Sequence, residues 1–140
     1  MIAPIERSLA GLRQQTALWR KADETIGVVP TMGALHQGHL SLARAAREKC
    51  DRVIVTIFVN PTQFALNEDL EKYPRHIESD VALLESRGAD FVFAPSRDEM
   101  YHEDHETFVI PGAVAEALEG ASRPTHFLGV ATIVLKLFNL

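Results

Sequence analysis

Apolar positions along this chain change period several times. Ile26 to Pro30, Arg52 to Val59 and Phe91 to Ala94 are short continuous runs, the second rich in β-branched residues and the third closed by Pro95. Runs of this kind suit strands covered on both faces, as in a parallel sheet. Between them the spacing turns helical. Leu40, Leu42, Ala43, Ala45 and Ala46 predict an amphipathic helix from about Gly38 to Lys49, with Cys50 late in that pattern as a buried small hydrophobe. A further helix is expected from His76 to Ser86, stopped by Gly88, and one near the N-terminus within Ile5 to Lys21, carried by Leu9, Leu12, Ala17 and Leu18. Thr107 to Ile110 reads as another strand, and Ala113 to Leu118 as a short helix ending near Gly120. Asn60-Pro61-Thr62 ends the second strand, and Glu68, Asp69 and Glu71 mark a polar loop or short helix with a solvated face.

Strands alternating with helices give an α/β fold, a doubly wound parallel sheet. There are no internal repeats and no low-complexity segment. The last stretch breaks the pattern of an ordinary terminus: Val130, Ile133, Val134, Leu137, Phe138 and Leu140 keep helical apolar spacing to the final residue. Chain ends are normally polar and frayed. The expectation is therefore a single domain, residues 1–140, cut inside a larger protein.

Composition narrows the function. At 140 residues and 46% hydrophobic, the chain can bury a real core. A formal net charge of −5 argues against nucleic acid as the primary partner, which would need a basic face. The longest central apolar run, Val53 to Val59, is far too short to span a membrane. A single cysteine excludes an internal disulfide, and the first residues lack the layout of a signal peptide, which suggests a reducing, cytoplasmic setting.

The chemistry concentrates at Pro30-Thr31-Met32-Gly33-Ala34-Leu35-His36-Gln37-Gly38-His39, between the first strand and its helix. Unpaired N–H groups and the positive end of the helix dipole make such a junction an anion site. His36 and His39 add two proton-carrying groups three residues apart, and Gly38 lets a ligand approach the backbone. Asn60 to Phe64 follows the second strand. Ligands of doubly wound sheets bind beyond the carboxyl ends of the strands, so both loops converge on one crevice. Gln63 offers an amide donor and an acceptor, suited to a hydroxy acid. Arg123 can pair with a carboxylate substrate or with a local acid. His102-Glu103-Asp104-His105-Glu106 lacks the spacing of a His-Glu-x-x-His zinc site and reads as a solvated loop.

Five segments carry a resemblance: Val29 to His39; Ile57 to Phe64; Asn67-Glu68-Asp69 with Tyr73-Pro74-Arg75; Leu118 to Phe127; and Lys136-Leu137-Phe138-Asn139. In this order they resemble the N-terminal half of the pantothenate synthetase (pantoate–β-alanine ligase) family, with its Rossmann-like fold of the H-x-G-H nucleotidyltransferase type. The resemblance implies an ATP-dependent, AMP-forming ligase acting through a pantoyl adenylate, with magnesium accompanying the nucleotide on ligands outside this chain. It implies ATP binding along Pro30 to His39, with His36 and His39 catalytic. It also implies binding of pantoate or β-alanine by Phe58, Asn60, Gln63, Arg123 and His126, and a homodimer. Thr125 and Ala65 stand where the family usually has glycine. The family's G-E-K-D-x-Q-Q segment, phosphate loop and C-terminal lid domain would follow Leu140, so this portion is expected to bind ligand and turn over poorly. Two other readings stay open, a nucleotidyltransferase sharing the H-x-G-H loop and a binding module without turnover.

Overall fold

The computed structural model describes residues 2–65, 68, 70 and 76–140. Four parallel strands make one sheet in the order β1-β4-β3-β2, where β1 is Ile5–Glu6, β2 Ile26–Thr31, β3 Arg52–Ile57 and β4 Phe91–Phe93. The helices are α1 (Leu9–Lys21), α2 (Gln37–Lys49), α3 (Ile77–Leu84), α4 (Arg97–Met100), α5 (Glu119–Ser122) and α6 (His126–Phe138). Asn67, Asp69, Glu71 and the Tyr73-Pro74-Arg75 segment lie outside the described residues.

The period-two alternation of strands sorts the core into two layers. Val29, Val55 and Val92 stand side by side in register, none more than 4% exposed, and meet Leu40 and Ala43 of α2 and Val81 and Leu84 of α3. On the other face Ile54 pairs with Phe91 and Thr56 with Phe93. There Leu12 and Trp19 of α1 and Ile133 and Leu137 of α6 cover Ile54, Phe91 and Phe93, with Trp19 edge-on to Phe91 at 5.9 Å. Helices on both faces of a parallel sheet make it doubly wound, as the apolar runs predict.

Three expectations need correction. Ile5–Glu6 is a strand rather than the start of a helix. Its edge pairs with β4 (Val92 N–H to Pro4 O at 2.9 Å, Ala94 N–H to Glu6 O at 2.8 Å), and Ser8 caps α1 from an extended conformation. The buried face of α1 is Leu12, Thr16 and Trp19, which leaves Leu18 56% exposed. Thr107 to Ile110 forms no strand: the backbone N–H of Val109 goes to Thr132 Oγ1 on α6 at 2.9 Å, away from the sheet edges. Ala113 to Leu118 is not one helix either. Only Ala113–Ala115 makes a 3-10 turn, and Leu118 at φ 53° separates it from α5.

The amino end of the sheet is closed by ion pairs, Arg47 with Asp90 at 2.7 Å and Arg52 with Glu24 at 2.8 Å. The carboxyl end, carrying the loops after β2 and β3, is where crevices open. Phe93 is fully buried between the sheet and the α1/α6 layer. Phe93→Ala is therefore expected to cost about 3–5 kcal/mol of folding free energy, read as a drop in the urea midpoint.

Candidate functional site

The loop after β2 is held from several sides. Thr31 Oγ1 donates to the Thr56 carbonyl at 2.7 Å and accepts the Gly33 N–H at 3.1 Å. Gly33 and Ala34 turn with positive φ, 82° and 52°. The next turn ends at His36, whose extended backbone (φ −136°, ψ −179°) makes it the N-cap of α2. Leu35 drops into the core beside Leu40, whereas His36, Gln37 and Gly38 are exposed and His39 is half-buried.

The two histidines form a reciprocal cap. His36 Nδ1 accepts the Gly38 N–H at 3.1 Å, and His39 Nδ1 accepts the His36 N–H at 3.2 Å. This is capping-box logic with imidazoles in place of hydroxyl and carboxylate. The rings lie 4.1 Å apart. With each Nδ1 accepting an amide proton, the neutral rings carry their own proton on Nε2, which leaves Nε2–H as the donor for a ligand. Burial holds the His39 imidazole below its ordinary value, helped by the neighbouring His36 charge, while Asp80 pulls it upward.

The loop after β3 is organised by Asn60, which is 1% exposed. Its Oδ1 accepts from the Tyr101 hydroxyl at 2.9 Å, the Thr62 hydroxyl at 2.8 Å and the Thr62 N–H at 3.3 Å. Its Nδ2 donates to Gln63 Oε1 at 2.9 Å and to the Gly129 carbonyl of α6 at 3.1 Å. Asn60 thus sits behind Gln63 with its amide group spent on protein partners. With Oε1 taken, Gln63 offers its amide NH2 as a donor to an oxygen acceptor. Burial raises the Tyr101 phenol above its usual value, so it stays protonated and donating.

Helix α6 crosses this loop at Gly129, where a Cβ would collide with the Thr62 carbonyl. Arg123 and His126 approach from outside the loop. Arg123 Nη2 donates to the Gln63 carbonyl at 3.3 Å, and His126 Nδ1 lies 3.2 Å from the same oxygen. Arg123 also pairs with two local acids, Glu68 and Glu119. The Glu68 carboxyl is held low chiefly by the Ala65 N–H, with Arg123 adding to it.

These elements enclose a cavity of about 230 Å³ lined by Pro30, Thr31, Met32, His39, Phe58 and Gln63 on one side and by Val130, Ile133, Val134 and Leu137 of α6 on the other. It brings the two loops of the sequence reading together around an apolar wall. Asn60, Arg123 and His126 hold Gln63 through hydrogen bonds to its side-chain and backbone oxygens. Asp80 and Tyr101 escaped the sequence reading. Asp80 carried a signal, an acid on the inner stripe of a helix between Ile77, Val81 and Leu84; Tyr101 carried none. Among the described residues no three His, Cys, Asp or Glu side chains converge on a metal site. His105 departs from a simple solvated loop: its ring packs edge-on between Tyr101 and Phe108, and burial lowers its imidazole.

Comparison with known proteins follows the same residues. A profile of the family described as pantoate-beta-alanine ligase matches residues 4–140. The pantothenate synthetase of Paracoccus denitrificans is 59% identical over the whole chain, which covers 50% of that protein. That of Cereibacter sphaeroides is 60% identical over 98% of the chain and 49% of its own length. Among solved structures, the Thermus thermophilus pantothenate synthetase superimposes with a TM-score of 0.87 at 47% identity, covering 96% of this chain and 47% of that one. The Francisella tularensis pantoate-beta-alanine ligase, solved with Beta-gamma ATP and Beta-alanine, gives 0.85 at 40% identity over 98% of this chain and 52% of that one. The chain spans about half the length of the curated relatives it matches. Among the described residues no helix is long and apolar enough to cross a membrane.

The depressed imidazoles carry a pH dependence. In the folded chain His39 and His105 titrate below their ordinary 6.5, so just under that pH the unfolded chain binds protons more readily. Folding stability should fall as pH drops from about 6.5, measured by urea midpoints across the acid range. A variant carrying His39→Gln and His105→Gln should lose the upper part of that decline, while carboxylates held low, such as Glu68, still weaken the fold at lower pH.

Proposed function

The chain belongs to the pantoate–β-alanine ligase family, and from that premise we propose that it forms the pantoate-activating half of an ATP-dependent, AMP-forming ligase. The observation that carries this reading is the cavity in which His39 from the helix start and Gln63 from the second loop face one apolar wall. That volume suits a small branched hydroxy acid better than a nucleotide. The exposed start of α2 at Gln37 and Gly38, with the positive end of the helix dipole there, suits phosphate. The nucleotide complex of the Francisella relative supports ATP as the co-substrate.

In the proposed reaction a pantoate carboxylate oxygen attacks the α-phosphorus of ATP. The new O–P bond forms as the bond to the bridging oxygen breaks, and pyrophosphate leaves. The amine of β-alanine then attacks the acyl carbon, loses a proton and displaces AMP. Charge develops on phosphate oxygens in the first step, so positioning and donors dominate the catalysis. His36 and His39 supply Nε2–H donors at the dipole's positive end. The Gln63 NH2 holds a pantoate oxygen while Pro30, Met32 and Ile133 cover its methyl groups. By the same reading magnesium would accompany the nucleotide on ligands outside this chain. Assayed by itself, the chain should bind ligand more readily than it completes turnover, because its relatives extend to about twice its length. A cytoplasmic setting and a two-fold homodimer belong to the same reading. The dimer is motivated by exposed Ile110, Val114, Leu118, Leu135 and Phe138, and sedimentation as a clean monomer at micromolar concentration would reject it.

Two substitutions in a full-length ligase carrying this sequence test the assignment. His39→Ala should slow pyrophosphate release by on the order of 10²–10³ and loosen the start of α2 by about 1 kcal/mol. Wild-type release would remove His39 from the chemistry. Gln63→Ala should weaken pantoate binding in calorimetry while ATP affinity stays nearly intact. Equal losses for both ligands would show that the two subsites have been confused.

A further inference from the structure

Among the described residues Asp80 is the one buried acid, 3% exposed. It stands on α3 in the stripe of Ile77, Val81 and Leu84 that joins the core. A carboxylate in that setting needs partners to offset the water it has lost. Both oxygens have one from a loop 45 residues away: Oδ2 accepts the Ala34 N–H at 2.9 Å, and Oδ1 accepts the Leu35 N–H at 2.8 Å. Those amides come directly before His36, the N-cap of α2. Positive φ is unfavourable for an alanine, and the clamp holds Ala34 in it. A Cβ added at Gly33 would stand 3.1 Å from Asp80 Oδ2, so the clamp also favours glycine at that position.

We propose that Asp80 is a positioning residue for the His36–His39 pair, clamping the Ala34 and Leu35 amides so that the start of α2 presents both imidazoles to the crevice. Its negative charge also acts on His39, favouring the protonated ring against burial and against the neighbouring His36. Asp80 thereby couples the α3 layer of the core to the phosphate end of the site. This proposal rests on the histidine role assigned under the proposed function, but its first two readouts need no ligand.

Asp80→Asn keeps one carbonyl acceptor and turns an NH2 toward the second amide. In nitrogen-resolved NMR of this chain, the His39 titration midpoint should drop below the wild-type value and the Ala34 and Leu35 amide resonances should move. Calorimetry should give about tenfold weaker ATP binding, the scale of one lost charge-assisted hydrogen bond, with a smaller change for pantoate. Reduced thermal stability with His39 and both amides unmoved would mean that Asp80 only stabilises the core, and would overturn the proposal. If the asparagine variant does not fold, Asp80→Glu carries the test. It keeps the charge but not the spacing, so His39 should titrate near wild type while the two amides shift; unshifted amides overturn the clamp. A wild-type chain without ATP affinity would sink the proposed function, and the His39 and amide readouts would still decide the role of Asp80.

Discussion

The parallel pairing of β2 with β3 is the constraint from which the site follows. Six residues of each strand stand in register, Ile26 with Arg52 through to Thr31 with Ile57. Because the strands run the same way, the loops that follow them must leave at the same end of the sheet. Thr31 Oγ1 reaching the Thr56 carbonyl ties the two exits together at the last rungs. Residues more than twenty apart in sequence, His39 and Gln63, then line one cavity without either loop having to be long.

Beyond the ladder the two loops are built differently. The first is a backbone structure: consecutive amides directed at Asp80, two positive-φ residues and a helix cap. The second is a side-chain structure in which the Asn60 amide gathers Tyr101, Thr62, Gln63 and α6. Each such buried group is inexpensive only while all its partners are present, since an orphaned one costs about 1–3 kcal/mol. The layers behind the site are therefore as demanding in sequence as its surface. Tyr101 lies 41 residues from Asn60, and Gly129 leaves room for α6 to touch the loop.

The sheet was legible because continuous apolar runs such as Val53 to Val55 have few alternatives in a chain of this composition. The strand–loop–helix junction at His36 was legible because glycine and histidine there have a direct physical use. Ile5–Glu6 was hidden: two residues carry no periodicity, and only the free edge of β4 makes them a strand. Thr107 to Ile110 has strand composition, but its backbone is claimed by Thr132 on a helix that comes later in the chain. The Asn60 network was invisible for a similar reason. Which donor meets which acceptor is set by tertiary packing, and sequence reading could reach Gln63 but not the fact that its carbonyl oxygen is already engaged.

The imidazole cap at the start of α2 ties the helix to two side-chain lone pairs. The same Nδ1 atoms that begin the helix belong to rings whose opposite edges take no part in the cap. Truncating either ring takes away one bond of the cap and loosens the first turn. Protonation at Nδ1 works against the cap, since a doubly protonated ring has no lone pair left to hold the backbone. Acid at this spot would therefore loosen the scaffold at the helix start, on which the shape of the loop before it depends.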